Sequence, residues 1–373
     1  MGKMIGYCVA GLGVGKNHVR GVLGSDHGKL IALCDLLPDK MDMVEKTVIA
    51  KDLEAHPEHK EHIADELLKY TDFDEMLKNP EIECVSIALP SGLHAKYAIK
   101  AMEAGKNVLI EKPMDITVEA AQSIIDAWKR TGVKVGVMHQ NRNNLDMAPM
   151  KRAIDEGHIG KVFLGTFEVK WYRPQSYFEK DGGWRGTWEM DGGGSLMNQG
   201  VHTVDLMQWL MGDVESVTST MAICGHDIET EDMTASLIKF KSGATATFVS
   251  TTCAYEAGCG TGIKVYGTGG TIECDQGEIL TWKIHSTVDD PEIAKAVEAA
   301  EEAAMKAKYS VGGSAASDPA LSTGHGSVVN NLINAIYNNT DPMIVPTEGI
   351  KAVKIVNAIY ESARTGKTVY IDR

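Results

Sequence analysis

An apolar run, Ile5-Gly6-Tyr7-Cys8-Val9-Ala10, breaks off into Gly11-Leu12-Gly13-Val14-Gly15, and the next apolar run ends at Asp35, twenty residues beyond Gly15. Glycines at such a break let the backbone turn tightly and come close to a bound group, and a helix starting beside them presents its amides and the positive end of its dipole. Strand, glycine loop, helix and a second strand closed by a carboxylate form the opening unit of a dinucleotide-binding sheet. The loop meets the pyrophosphate and the carboxylate meets the ribose. Gly11, Gly13, Val14 and Gly15 are therefore candidate cofactor residues. Asp35 is another, because its charge suits the two ribose hydroxyls of NAD and repels the extra phosphate of NADP. The spacing departs from the usual pattern, since the third glycine comes one place early and Lys16 stands where the pattern ends.

Strands and helices keep alternating. Cys84-Val85-Ser86-Ile87-Ala88-Leu89-Pro90 reads as a buried strand, Ser91-Gly92-Leu93-His94 opens a helix, and Asn107-Val108-Leu109-Ile110 runs into Glu111-Lys112-Pro113. A helix over 118–130 and a strand over 134–138 follow, and such alternation implies right-handed crossovers and a parallel sheet. Ligands bind at the carboxyl edge of such sheets, where Leu89, Pro90 and Lys112 would stand. A single lysine is usually a solvated cation; at that edge it is a candidate hydrogen-bond donor to a substrate hydroxyl. From Asp39 to about Leu68 the chain reads as charged and helical, and His56, His59 and His62 within it read as solvated rather than metal-binding, so no metal is expected.

A length of 373 residues predicts two domains, divided near residue 140. The net charge of −14 argues against nucleic acid or an anionic membrane surface as partner. Seven cysteines without a C-x-x-C pair read as reduced thiols, the N-terminus enters a strand without a charged leader, and no apolar run has transmembrane length. A cytoplasmic protein is expected.

Beyond residue 140 the pattern changes. Residues 160–171 alternate apolar and polar like a strand with one covered face. Trp184-Arg185-Gly186-Thr187-Trp188 and Asp191-Gly192-Gly193-Gly194 lead to a helix expected over 195–210, which places Asn198, His202, Asp205 and Trp209 on one stripe. Val201, Leu206 and Leu210 would anchor it. Further strands are expected over 216–224, 233–239, 245–252 and 262–266, with Gly267-Thr268-Gly269-Gly270 as a hairpin turn rather than a phosphate loop. An Ala- and Glu-rich stretch to about Lys308 reads as a solvated helix, and residues 285–325 as a variable lid or insertion. His325, in Gly324-His325-Gly326 before a helix near Val328, is a candidate loop residue of the substrate pocket. Aromatic faces pack on sugar rings and guanidinium binds phosphate or carboxylate, so Arg173, Trp184, Arg185 and Trp188 suggest a carbohydrate substrate.

The glycine loop, Asp35, Pro90 to His94, Ala104-Gly105-Lys106, Glu111-Lys112-Pro113 and His139-Gln140-Asn141-Arg142 together resemble the glucose-fructose oxidoreductase/inositol dehydrogenase/MocA (Gfo/Idh/MocA) family over nearly the whole chain. The resemblance implies an α/β fold: an N-terminal Rossmann domain over 1–140, then an α+β domain over 141–373 with an open, largely antiparallel sheet whose outer face makes subunit contacts, hence a homo-oligomer (a dimer, tetramer or higher). It implies that Lys112 is the catalytic lysine, that Pro90, His94 and Glu111 line the nicotinamide side, that Asn141 and Arg142 border the cofactor, and that His202 is the general base. Inositol-acting members commonly carry an aspartate where this chain has Asn198, which donates and accepts hydrogen bonds but brings no charge.

The expected activity is therefore NAD-dependent oxidation or reduction of a ring hydroxyl, at C3, of a sugar, glycoside or nucleotide sugar. Lys112 steadies the developing alkoxide and His202 takes the proton. Three alternatives stand beside it: a glycosidase or glycosyl-exchange enzyme that oxidises C3 transiently and recycles NAD, an inositol dehydrogenase, and a non-catalytic NAD-responsive regulator. Fold resemblance does not choose among them.

Overall fold

A computed structural model describes residues 3–143, 147–255, 260–275, 278–285, 289–309 and 324–371. Of the stretch expected as a lid, residues 286–288 and 310–323 lie outside the described residues, as does Cys259. Two compact units divide the chain, Met1–Asn143 with Asp318–Val353, and Asn144–Ser317 with Lys354–Arg373.

The first unit begins with β1 (Ile5–Ala10), α1 (Lys16–Leu23), β2 (Gly28–Cys34), α2 (Pro38–Val44), α3 (Ala50–Ala55), β3 (Ile63–Tyr70) and α4 (Phe73–Leu77). It continues with β4 (Cys84–Ile87), α5 (His94–Glu103), β5 (Asn107–Ile110), α6 (Val118–Thr131) and β6 (Val135–Val137). The strands form a parallel sheet in the order β3-β2-β1-β4-β5-β6. The order reverses between β1 and β4, the point where open α/β sheets take their ligand. Every residue of β1 is buried, and alternate side chains enter two cores: Cys8 and Ala10 on one face, Ile5, Tyr7 and Val9 on the other. That double burial is why these strands read as continuous apolar runs.

Residues 63–70 are a strand where a charged helix is expected. β3 is an edge strand, and Asp65, Glu66 and Lys69 on it are exposed, the charge that edge strands commonly carry against unwanted pairing. Of the three nearby histidines His56 is exposed, but His62 is buried and donates to the Gly28 carbonyl at 2.8 Å.

The second unit opens with α7 (Met147–Asp155), β7 (Val162–Lys170), α8 (Gln175–Glu179), α9 (Val201–Met211), β8 (Val214–Ala222) and β9 (Met233–Phe240). β10 (Thr245–Thr251), β11 (Thr261–Gly267), β12 (Gly270–Asp275), β13 (Glu278–Ile284) and α10 (Pro291–Tyr309) follow. α11 (His325–Tyr337) belongs to the first unit, α12 (Pro346–Thr365) begins there, and β14 (Val369–Tyr370) closes the chain. The eight strands run β13-β12-β11-β7-β10-β9-β8-β14, antiparallel except for the parallel pair β7 and β10. Along β7 the alternation is the expected one, with Gly165, Phe167 and Val169 buried. A Cβ on Gly165 would stand 2.4 Å from Met211 Sδ, so the missing side chain lets the end of α9 lie on the sheet. Among the described residues no helix is long and apolar enough to cross a membrane.

Residues 324–353 depart from the expected boundary at 140 because α11 packs on the first unit's core. Val328, Val329, Leu332 and Ile333 join Val19, Val22 and Leu23, and a Cβ on Gly21 would meet Gly326 Cα at 2.9 Å.

Candidate functional site

In the first unit, Gly11 has φ +86°, and a Cβ there would lie 2.3 Å from the Ala88 carbonyl oxygen. A Cβ on Gly15 would lie 2.0 Å from Gly11 O and 2.9 Å from Val9 Cγ1. The shortened loop brings Gly15 against Gly11 and Val9, so a side chain at this third glycine would not fit. Nothing would touch a Cβ on Gly13, and Gly13 and Val14 are exposed, so this backbone is open to an incoming group. Asp35 accepts from the Leu12 amide at 2.9 Å and the Leu37 amide at 3.0 Å, one bond to each carboxylate oxygen. The carboxylate is thus fixed beside the glycine turn and keeps lone pairs for further donors. A bare turn at the carboxyl edge of a parallel sheet with a positioned carboxylate fits a dinucleotide.

His94 is buried at the start of α5 and its ring reaches two carbonyls, Leu89 at 2.8 Å and Pro113 at 2.7 Å. It links the turn after β4, which holds Leu89 and Pro90, to the turn after β5. Glu111 is buried at the end of β5, and its Oε2 accepts from the Lys112 amide at 2.9 Å. Its Oε1 meets His18 Nε2 at 2.8 Å and His325 Nε2 at 3.4 Å. His18 is fully buried and continues through Ser86 Oγ at 2.9 Å to the Tyr7 hydroxyl, 2.7 Å beyond. Burial works to raise the Glu111 carboxyl, but the bonds from His18 and His325 prevail and bring it well below the ordinary carboxylate range. Burial lowers His18, with Glu111 opposing. The peptide carrying Lys112 is therefore tethered to a buried carboxylate whose charge two imidazoles stabilise.

His325 is the first residue of α11, in the first unit, rather than a loop residue before a helix at Val328. Asn141 and Arg142 lie in a 3-10 turn over Gln140–Asn143, with Arg142 buried and its Nη1 3.6 Å from Glu348 Oε2.

In the second unit, Ser195–Gly200 form a π-helical turn that runs into α9. Because that turn is wider than an α-helical one, the stripe expected from Asn198 is regular only from His202 through Asp205 and Trp209. Glu231 holds the start of the turn: Oε1 accepts from the Gly194 and Leu196 amides at 3.0 and 3.2 Å, and Oε2 accepts from Ser195 Oγ at 2.6 Å. The Tyr360 hydroxyl also donates to Oε1, at 2.6 Å. Burial raises Glu231, against the pull of these neutral donors. His202 is the second residue of α9 and half-buried, and Val201, Leu206 and Leu210 are buried as expected.

Asn198 donates to Asp191 Oδ1 at 2.6 Å and accepts from Gln199 Nε2 at 2.8 Å and Tyr177 OH at 3.3 Å. Arg173 donates to Gln199 Oε1 at 3.1 Å and lies over the rings of Trp171 and Tyr177. Arg185 lies over Tyr177 and Trp184 and pairs with Asp181 at 3.0 Å. Trp188 packs edge-on to Tyr360 beneath Arg364. One cluster thus joins Arg173, Arg185 and Asn198 with Tyr177, Asp191 and Gln199, three residues that sequence reasoning did not select for the site. His18 was passed over in the same way, although a serine inside the apolar run of β4 was a signal that something polar is buried against it.

Residues 5–139 match the family described as the oxidoreductase family with an NAD-binding Rossmann fold, and residues 147–273 match the GFO/IDH/MocA C-terminal domain. Oxidoreductase P35 of Formosa agariphila is 34% identical over 148 residues, 39% of this chain and 46% of that protein, so the chain matches about half of that relative's length. Levoglucosan dehydrogenase of Pseudarthrobacter phenanthrenivorans is 25% identical over 79% of this chain and 81% of its own. The crystal structure of the WlbA dehydrogenase from Bordetella pertussis, in complex with NADH and UDP-GlcNAcA, superposes with a TM-score of 0.81 at 29% identity, over 100% of this chain and 99% of that one. With both halves of the chain matched and the doubly wound and open sheets in place, this chain belongs to the Gfo/Idh/MocA family of NAD-binding oxidoreductases.

Proposed function

We propose that this protein catalyses NAD-linked oxidation or reduction of a ring hydroxyl, at C3, of a sugar, glycoside or nucleotide sugar. The observation that carries the reading is the tether of Lys112: its amide is bound to buried Glu111 at the carboxyl end of β5, beside the switch point of a sheet built for a dinucleotide. A nicotinamide, when bound, takes or returns the hydride. Lys112 then donates a hydrogen bond to the reacting oxygen and stabilises charge that grows on it, a contribution that is large in a water-poor site. His202 takes the hydroxyl proton, a task suited to an imidazole near neutral pH. Gly11, Gly13, Val14 and Gly15 hold the pyrophosphate. Asp35 accepts the ribose hydroxyls, and its negative charge supports NAD over NADP. A relative named for levoglucosan and a related dehydrogenase structure in complex with UDP-GlcNAcA support a carbohydrate substrate.

Lys112→Ala and His202→Ala are expected to bind NAD as the parent does, by titration calorimetry, while turnover with a panel of glycosides and nucleotide sugars falls by about 100- to 10,000-fold. Turnover within a few-fold of the parent in both variants would remove these roles. Product mass alongside NADH absorbance separates net oxidation from a cycle that returns the hydride.

A further inference from the structure

Arg173 is held in an unusual way. Its guanidinium lies 4.9 Å from the Trp171 ring centre and 5.4 Å from that of Tyr177, and its two side-chain hydrogen bonds go to neutral oxygens, Gln199 Oε1 and the Tyr172 carbonyl, each at 3.1 Å. Among the described residues no carboxylate pairs with it. Its backbone is fixed as well, since His226 Nε2 donates to the Arg173 carbonyl at 2.7 Å and His226 Nδ1 meets buried Asp232 at 3.0 Å. Aromatic faces and an amide orient a guanidinium but do not neutralise it. Arg185 also lies 5.0 Å from the Tyr177 ring centre, so two cations meet one ring, and among the described residues only Arg185 of the two pairs with an acid, the exposed Asp181. The nearby Asp191 is engaged elsewhere, by the Asn198 amide and the Gly186 N–H.

Through Gln199, Arg173 is hydrogen-bonded to the helical run that carries His202. Guanidinium offers parallel N–H groups that match the two oxygens of a carboxylate or phosphate. We propose that Arg173, supported by Arg185, is an anion-reading subsite, so that the carbohydrate this protein acts on carries a carboxylate or a phosphate. The inference rests on the carbohydrate reading given above and narrows its substrate class.

The test uses three matched ligands on the NAD-loaded full chain: a neutral glycoside, the uronic acid of the same sugar and its phosphate ester. Binding is read from tryptophan emission, because Trp171 and Trp184 lie against the two guanidiniums, and turnover is read separately from NADH absorbance. The parent should bind one of the two anionic ligands about 30- to 100-fold more tightly than the neutral one, and Arg173→Met should erase that ratio. The ligand preferred tells carboxylate from phosphate. Arg173→Lys should keep part of the ratio, since charge survives while the planar fork is lost. Arg185→Gln should lower it less, and these two variants carry the test if Arg173→Met does not fold. Equal binding of neutral and anionic ligands by the parent, no binding of either anion, or an undiminished ratio in Arg173→Met would overturn the subsite. Anion binding that depends on Arg173 without turnover of any ligand would leave the subsite standing and defeat the oxidoreductase reading. Turnover confined to the neutral glycoside would do the reverse.

Discussion

Among the described residues each unit buries one glutamate, and the two are held in opposite ways. Glu111 in the first unit is met by two imidazoles, and its carboxyl is brought well below the ordinary range; Glu231 in the second is met by amides and hydroxyls, and burial leaves it raised. Glu231 has the more hydrogen bonds, five against three, and is nevertheless the one raised, so the number of bonds is not what separates them. The difference lies in whether the partners can carry charge. A titratable partner shares the cost of desolvating the carboxylate, whereas a dipole lowers that cost without removing it. The placement follows the use: Glu111 tethers the peptide of Lys112, where a fixed negative charge complements an ammonium, while Glu231 serves as a staple for the turn that leads into α9.

The largest effect should come from emptying the charged site. Glu111→Ala strands buried His18 and frees the Lys112 amide, and breaking a buried pair in this way costs about 3–5 kcal/mol. Urea unfolding followed by first-unit probes should show that loss, and one below about 1 kcal/mol would mean the imidazoles are satisfied without the carboxylate. The matching change in the second unit, Glu231→Gln, keeps the shape but turns an amide NH2 toward donors. It should cost less, about 1–3 kcal/mol. Tyr360→Phe should cost less in the Glu231→Gln background than in the parent, because both disturb the same bond, while the Met197 amide loses its Tyr360 acceptor in either background. Full additivity in the double variant would break the picture of a single staple.

The same contrast marks what the sequence could reveal. The doubly wound sheet was legible because strands buried on both faces are written as apolar runs, and the glycine loop and Asp35 sit at fixed offsets from them. β7 was legible through its alternation. β3 was not, because an edge strand with exposed charges has neither signal. The tether of Lys112 was half legible: Glu111-Lys112-Pro113 is contiguous, but His18 and His325 lie 93 residues before Glu111 and far after it, and only the fold unites them. In the second unit Arg173 and Arg185 announced themselves by residue type. Tyr177, Gln199 and Asp191, which hold them and Asn198 in place, did not, since a tyrosine or an amide in a loop reads as ordinary surface. The π-helical turn was hidden for a related reason, as its cause, Glu231, lies 36 residues beyond Ser195.

The smallest effect is also the most discriminating, because acid should act on the two units with opposite sign. His18 and Glu111 have folded values lowered from their free ones, so the stability they contribute is fully present above the unfolded pKa and is lost as pH falls toward the folded value. For His18 the loss begins near the free imidazole value of ~6.5, and for Glu111 near ~4.3. Glu231 is raised, so its contribution is present below ~4.3 and is lost as pH rises through its folded value. Asp232 in the second unit is lowered, with burial opposing and its backbone N–H partners prevailing, and it acts in the same sense as Glu111 but only below ~3.9. Between pH 6.5 and 4.3, then, acidification should weaken the first unit by at most ~1.4 kcal/mol per pH unit, while the second holds or gains. Hydrogen exchange of the amides of β1 and β4, set against those of Leu196 and Met197 and corrected for intrinsic rate, reads both at once. Protection of β1 and β4 should fall up to about tenfold per pH unit, and that of the Glu231-held turn should not. A parallel fall in both would mean that the imidazoles around Glu111 do not set its charge, and the contrast between the two glutamates would reduce to burial alone.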